Sequence, residues 1–233
     1  MIAGGRRLAW LLLVTAAGGA LAAASPTDRQ WQALAALLDK QRGIRTLEAQ
    51  FTQKRELRTM DNPLVSQGRV LYSDDGPQFR FELGSPPRQV ALARGDGGIV
   101  VADLERRTAR RLDGDHPETA AARGLAGIEI PIAKDIESLR RRFAVERIGL
   151  DAGVLTLELR PRGRQLRRAV ASLEFEFTRA SGLLRRQRIQ FADGSRLETI
   201  FGHSRMNAPL PDDAFALDLD GFTFDPEAAE AAP

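Results

Sequence analysis

Apolar and polar residues alternate with a period of two along most of this chain, and only a few short stretches follow a helical spacing instead. Leu47, Ala49 and Phe51 alternate with Glu48, Gln50 and Thr52, which predicts a strand with one apolar and one wet face. Just upstream, Trp31, Leu34, Ala35 and Leu38 share one side of an amphipathic helix that stops at a turn near Gly43. More strands follow at short intervals: Gln67 to Tyr72, Phe79 to Leu83, Gln89 to Arg94, Ile99 to Val101 and Thr108 to Leu112. The breaks between them are turn-formers, Asp74-Asp75-Gly76-Pro77, Gly84-Ser85-Pro86-Pro87 and Asp96-Gly97-Gly98. Between Asp113 and Phe143 the texture changes. Pro117 to Ala122 predicts a short helix opened by proline, and Ile132, Ile136, Leu139 and Phe143 fall near a helical spacing. Strands then resume at Ala144 to Leu150, Val154 to Arg160, Ala171 to Thr178, Leu183 to Phe191 and Arg196 to Arg205. A last short apolar element carries Phe215, Leu217, Leu219 and Phe222.

The expected fold class is therefore mainly β, an antiparallel sheet of about eleven strands with an N-terminal helix and a mid-chain helical insertion. So many strands cannot stay flat and wet on both faces. Two arrangements satisfy that constraint. In one, the sheet packs on itself as a sandwich with a dry core, which composition alone favours. In the other, it curves, and the helix and the insertion plug its concave side. The alternating aromatics Phe51, Phe79, Phe81, Phe175, Phe177 and Phe191 fall on one side in either case.

Composition mainly supplies an address. Arg6 and Arg7, the apolar run Leu8 to Val14 and the small-residue exit Ala22-Ala23-Ala24 have the form of a cleaved secretory signal over residues 1–24. The apolar run is about half of the ~20 residues a membrane span needs. We expect an exported periplasmic protein that starts at Ser25, a result N-terminal sequencing reads directly. A start that still contains Trp10, in the membrane fraction, would overturn it. Residues 25–226 are expected to form one domain, and 227–233 an alanine- and glutamate-rich tail. Without Arg6 and Arg7 the formal net charge falls from +3 to +1, so there is no concentrated surplus of the kind a nucleic-acid binder shows.

Chemistry for catalysis is missing from the pattern. There is no cysteine, and His116 and His203 stand far apart without a metal-ligand spacing. Asp74-Asp75 and Asp212-Asp213 lie in Pro- or Gly-flanked loops, where turn formation accounts for them. Nucleophile-elbow, phosphate-loop and dinucleotide glycine patterns are absent. We expect no enzyme, no metal and no cofactor. The arginine clusters at 140–142, 162–168 and 185–188 suit solvated hairpin tips and outer strand faces, or a surface that meets anionic headgroups.

The order of these elements resembles the LolA family of periplasmic lipoprotein carriers. The family's first strand commonly runs F-x-A-x-F-x-Q, and here Leu47-Glu48-Ala49-Gln50-Phe51-Thr52-Gln53 matches it with leucine in first place. Gly68 to Tyr72 matches a second strand that opens on glycine and closes on an aromatic. Phe79-Arg80-Phe81, the Asp96-Gly97 hairpin and the closing segment Phe215 to Phe222 follow in the family's order.

That resemblance implies an unclosed antiparallel half-barrel under a helical lid. Its cavity would be lined by Phe51, Phe79, Phe81, Leu83, Phe175, Phe177 and Phe191. The lid would carry Trp31, Leu34 and Leu38 facing Ile136, Leu139 and Phe143. It also implies a lipoprotein or lipid cargo, an inner-membrane export complex as donor, an outer-membrane acceptor, and a monomer. The alternative is a periplasmic module of similar fold that senses lipid or peptide and regulates an envelope process. One departure stands out: Asp74 and Asp75 occupy the loop where family carriers keep a basic lid latch. The lid is then expected to rest on apolar contact, with Arg140 or Arg141 reaching the acidic loop, and to be displaced by cargo.

Overall fold

A computed structural model of the chain describes residues 25–76, 78–93, 98–112 and 133–224. Among these residues it contains three helices, α1 (Asp28–Arg42), α2 (Ile136–Arg142) and α3 (Arg164–Ala169). The first meander is β1 (Thr46–Glu56), β2 (Leu64–Ser73), β3 (Gln78–Leu83), β4 (Gln89–Ala93), β5 (Ile99–Asp103) and β6 (Thr108–Leu112). The second is β7 (Phe143–Asp151), β8 (Val154–Pro161), β9 (Val170–Thr178), β10 (Leu184–Phe191) and β11 (Arg196–Met206), followed by the two-residue β12 (Thr223–Phe224). All belong to one sheet in the order β12-β6-β5-β4-β3-β2-β1-β11-β10-β9-β8-β7. The pairing of β1 with β11 joins the two meanders, with Phe51 opposite Phe201. Its register shifts between Ala49 and Phe51, the kind of irregularity that adds twist and bends a sheet.

Each of the eleven expected strands is present, and the expected unclosed sheet with helices against it is the fold. Four local expectations need adjustment. Phe143 opens β7 instead of ending the helix, because Leu139 already accepts its backbone N–H at the cap. Arg164 to Ala169 forms a helical turn where a plain hairpin tip was expected. Thr223–Phe224 pairs in parallel with Thr108 and Ala109 as a twelfth strand. The helix expected at Pro117 to Ala122, and Ile132, lie outside the described residues.

Local signals start both packed helices. The Gln30 side chain accepts a hydrogen bond from the Thr27 backbone N–H at 2.7 Å, and Asp135 accepts from the Ser138 backbone N–H at 2.6 Å. Gln30 also donates to the Ile148 carbonyl at 2.5 Å, occupying an acceptor on the edge strand β7.

The register separates two faces. The inner face collects Leu47, Ala49, Phe51, Val70, Phe79 and Phe81 from the first meander, and Ile148, Leu155, Leu157, Leu173, Phe175 and Ile189 from the second. On the outer face of the second meander, arginine and glutamate alternate between neighbouring strands. Arg188 of β10 contacts Glu174 and Glu176 of β9 and Glu198 of β11, and Arg186 contacts Glu176 and Glu198. The 185–188 cluster is thus largely neutralised within the sheet and is not a free cationic surface. The outer face of the first meander is crossed by the segment after β11. There Arg80 donates to the Ala216 carbonyl and Arg107 to the Asp220 carbonyl at 2.7 Å, above buried Leu71, Val90, Leu92 and Ala102.

Candidate functional site

The inner face carries two apolar clusters of different character. In the first meander, Phe79 packs with Ala49, Val70, Ala93, Ile99 and Leu112, while Phe81, Ala91, Val101 and Phe201 remain only partly buried around them. The Phe51 ring stacks on Phe81 at 4.6 Å between centroids and meets Phe201 edge-on at 6.1 Å. Gly68 makes this possible. A methyl group there would lie 2.1 Å from the Glu82 carbonyl oxygen and 2.4 Å from the Phe51 ring, so only glycine lets the ring cross β2. Leu83 is half-buried opposite Gly68. A groove of about 540 Å³ opens where β3 ends, mainly on the outer side of the sheet, lined among others by Thr52, Arg69, Glu82, Pro87 and Ile200.

The second cluster is filled. Leu34, Leu37 and Leu38 of α1 and Leu139 of α2 pack on Leu155, Leu157, Phe175 and Phe177, with Trp31, Ile136, Phe143 and Phe191 partly buried at its margin. All six residues expected in the lid therefore meet in one cluster. With them lie three of the seven expected lining residues, Phe175, Phe177 and Phe191. The other four, Phe51, Phe79, Phe81 and Leu83, sit in the first meander away from α1. Displacing α1 would re-expose three leucines, at about 2 kcal/mol each. That cost favours α1 as a structural cover over a loosely held lid.

The expected contact between Arg140 or Arg141 and the acidic loop is not made. Asp74 instead accepts from Arg45 at 2.8 Å, because β1 starts beside the β2–β3 turn. The Arg140 guanidinium lies 3.9 Å over the Trp31 ring, and Arg141 pairs with Glu137 one helical turn away. This cation–π contact ties α2 to α1 directly.

Two features escape the strand pattern. One is an uncharged polar row on the inner face, Gln53, Thr199 and Gln187, with the Gln53 amide donating to the Thr199 hydroxyl at 3.3 Å. Thr199 and Gln187 are both buried. The other is Glu82 on the outer face, 2% exposed and hydrogen-bonded by Arg69 and by Arg80 at 2.7 Å. Burial alone would push its carboxyl up, but the two guanidinium groups outweigh that and hold it below the usual carboxylate range. A charged residue at a position that faces the next strand signals nothing by itself; only the register brings both arginines to it.

His203 is exposed on β11, and His116 lies outside the described residues. No group of three metal-ligating side chains forms among the described residues, and no described helix is long and apolar enough to cross a membrane.

Comparison with known proteins decides the family. The model of the family "Outer membrane lipoprotein carrier protein LolA" matches residues 42–218, well over half of the chain. The chain belongs to the LolA family. The matched span covers both meanders, so the unclosed sheet is the family's domain, and α1 lies almost wholly before it. Among solved structures, an uncharacterized conserved protein from Thermus thermophilus is similar over 81% of this chain and 96% of its own, at 10% identity and a TM-score of 0.50. MucB in its complex with MucA from Pseudomonas aeruginosa is similar over 82% of this chain and 61% of that one, at 16% identity and a TM-score of 0.47. The Mycobacterium tuberculosis lipoprotein LppX is similar over 79% of this chain and 99% of its own, at 10% identity and a TM-score of 0.43. A sequence comparison with curated proteins finds no significant match.

Proposed function

We propose that this LolA-family chain is a periplasmic carrier that shields the acyl chains of a lipoprotein or another lipid during transfer towards the outer membrane. The supporting observation is the difference between the two halves of the inner face. The second meander is filled by α1 and α2, whereas the first presents partly buried aromatics, Phe81 and Phe201, around the stacked Phe51. Acyl chains gain about 0.8 kcal/mol per methylene on leaving water, before the cost of association. The cargo site in this proposal is Phe51, Phe79, Phe81 and Leu83, and Phe175, Phe177 and Phe191 form the floor beneath the helices. Residues 1–24 act as the export signal, cleaved after Ala24. An inner-membrane complex loads the carrier and an outer-membrane acceptor unloads it. No catalytic step is involved.

The test is uptake of a fluorescent fatty acid. Phe81→Glu should lower affinity more than tenfold while the circular dichroism spectrum stays native, because the side chain is only half-buried. Phe177→Glu should unfold the chain, since it places an unpaired charge in the filled half. Unchanged uptake by Phe81→Glu would move the cargo elsewhere. A wild-type chain that takes up no lipid but binds an envelope peptide would replace the carrier with a sensing module. Native mass spectrometry of the chain isolated from its own periplasm names the cargo.

A further inference from the structure

The sheet has two unlike ends. At one, β1 leads into β2, β8 into β9 and β10 into β11; the pairs Arg55–Leu64, Phe191–Val170 and Glu56–Arg196 bring these three connections together. The β10–β11 turn touches the β1–β2 tip directly, because a methyl group at Gly194 would lie 3.6 Å from the Arg58 side chain.

The β1–β2 tip exposes three apolar side chains, Met60 at 48%, Leu64 at 46% and Val65 at 63%, alongside Arg58 and Asp61. Pairing with β3 begins only at Gly68, so the start of β2 stands beyond its neighbour on that side. Next along the same end, α3 presents Arg164, Arg167 and Arg168, all exposed, with Leu166 turned towards the core. Among the described residues none of these three arginines has a carboxylate partner. They differ in this from Arg186 and Arg188 on the outer face, which glutamates hold. Arg162, just before α3, spends its guanidinium on the Phe143 carbonyl. At the opposite end the arginines at the start of β1 and the end of β11 are paired: Arg45 with Asp74 and Arg205 with Glu48.

We propose that the α3 end of the sheet docks on an anionic phospholipid bilayer. The arginines of α3 meet lipid phosphates, and Met60, Leu64 and Val65 enter the headgroup–acyl boundary beside them. Unpaired cations and exposed apolar side chains at one end of the sheet form the two-part signal that peripheral membrane binding requires. A bilayer can answer charges spread over separate loops because its headgroups move laterally, whereas a folded acidic partner needs a matched pattern. The inference does not depend on lipid being the cargo, since it concerns the end of the sheet and not its inner face.

The test is co-sedimentation of the exported chain with phosphatidylglycerol-containing vesicles and with vesicles of phosphatidylcholine alone. Binding is expected to the anionic vesicles only, and to fade as salt is raised. The triple change Arg164→Glu, Arg167→Glu and Arg168→Glu should lower affinity about a hundredfold, from roughly fivefold per arginine near an anionic surface. Val65→Asp should lower it about tenfold by removing the apolar part of the contact. Arg179→Glu, in the β9–β10 turn at the opposite end of the sheet, should change nothing. Circular dichroism checks each fold, and the salt titration and Val65→Asp carry the test if the triple variant fails to fold. A wild-type chain that ignores anionic vesicles overturns the proposal and leaves an acidic protein as the partner to seek. Equal loss from Arg179→Glu, or none from the triple variant, overturns it as well.

Discussion

Glutamate in place of Leu34 is expected to unfold the chain and not merely to free a lid. Leu34 is 0% exposed and sits between α1 and the second meander with Leu37, Leu38, Leu139 and Phe177. Leu34→Ala at such a site costs about 2–5 kcal/mol, and a buried carboxylate without a partner costs more than the alanine change. Domains of this kind are stable by about 5–15 kcal/mol in total, so Leu34→Glu removes much or all of the margin. The readout is urea denaturation followed by the fluorescence of Trp31, which is the only tryptophan after residue 24. In the wild type, Trp31 lies under Arg140, and its emission reports the α1–α2 contact. A Leu34→Glu chain that keeps its midpoint and changes only the quenching of Trp31 would show that α1 is loosely held. Cargo could then displace it. An unfolded variant would mean that α1 is part of the folded core.

Loss of the Glu82 carboxylate is expected to have the second largest effect. Glu82→Ala leaves Arg80, whose side chain is 15% exposed, facing a buried site without its partner. Breaking a buried ion pair by removing one member costs about 3–5 kcal/mol. Arg80 also donates to the Ala216 carbonyl, so hydrogen exchange should rise over residues 208–224 before the sheet itself opens. The pH dependence follows from the same contacts. The carboxyl is held below its usual range in the folded chain, so its contribution is complete above the unfolded value of about 4.3. That contribution fades as pH falls through the lower folded value. Thermal melts from neutral to acidic pH should therefore show a steeper acid loss in the wild type than in Glu82→Gln. Equal slopes would mean that Glu82 is not held in its charged form by Arg69 and Arg80.

Most of the fold was legible in the period-two alternation. Phe79-Arg80-Phe81-Glu82-Leu83 announces β3 because side chains along a strand point to opposite faces, a constraint that acts between adjacent residues. Turn residues such as Gly84 and Gly153 marked where strands end, since positive φ is a local demand of the backbone. The same pattern placed seven aromatic and aliphatic side chains on one face, but it could not divide them. Phe175, Phe177 and Phe191 became the floor under α1 and α2, and Phe51, Phe79, Phe81 and Leu83 did not, because only the position of the helices distinguishes them. The lid latch failed for a related reason: Arg45 reaches Asp74 across 29 residues of sequence, a neighbour set by how β1 leaves α1. Arginines of similar appearance also parted. Arg186 and Arg188 found glutamates on the adjoining strands, while Arg164, Arg167 and Arg168 stood at a sheet end with none among the described residues. Alternation and turns are properties of neighbours in sequence, so sequence alone determined the strands and their faces. Pairing partners, charge neutralisation and which helices cover each half depend on the register across the sheet, which only the tertiary structure decided.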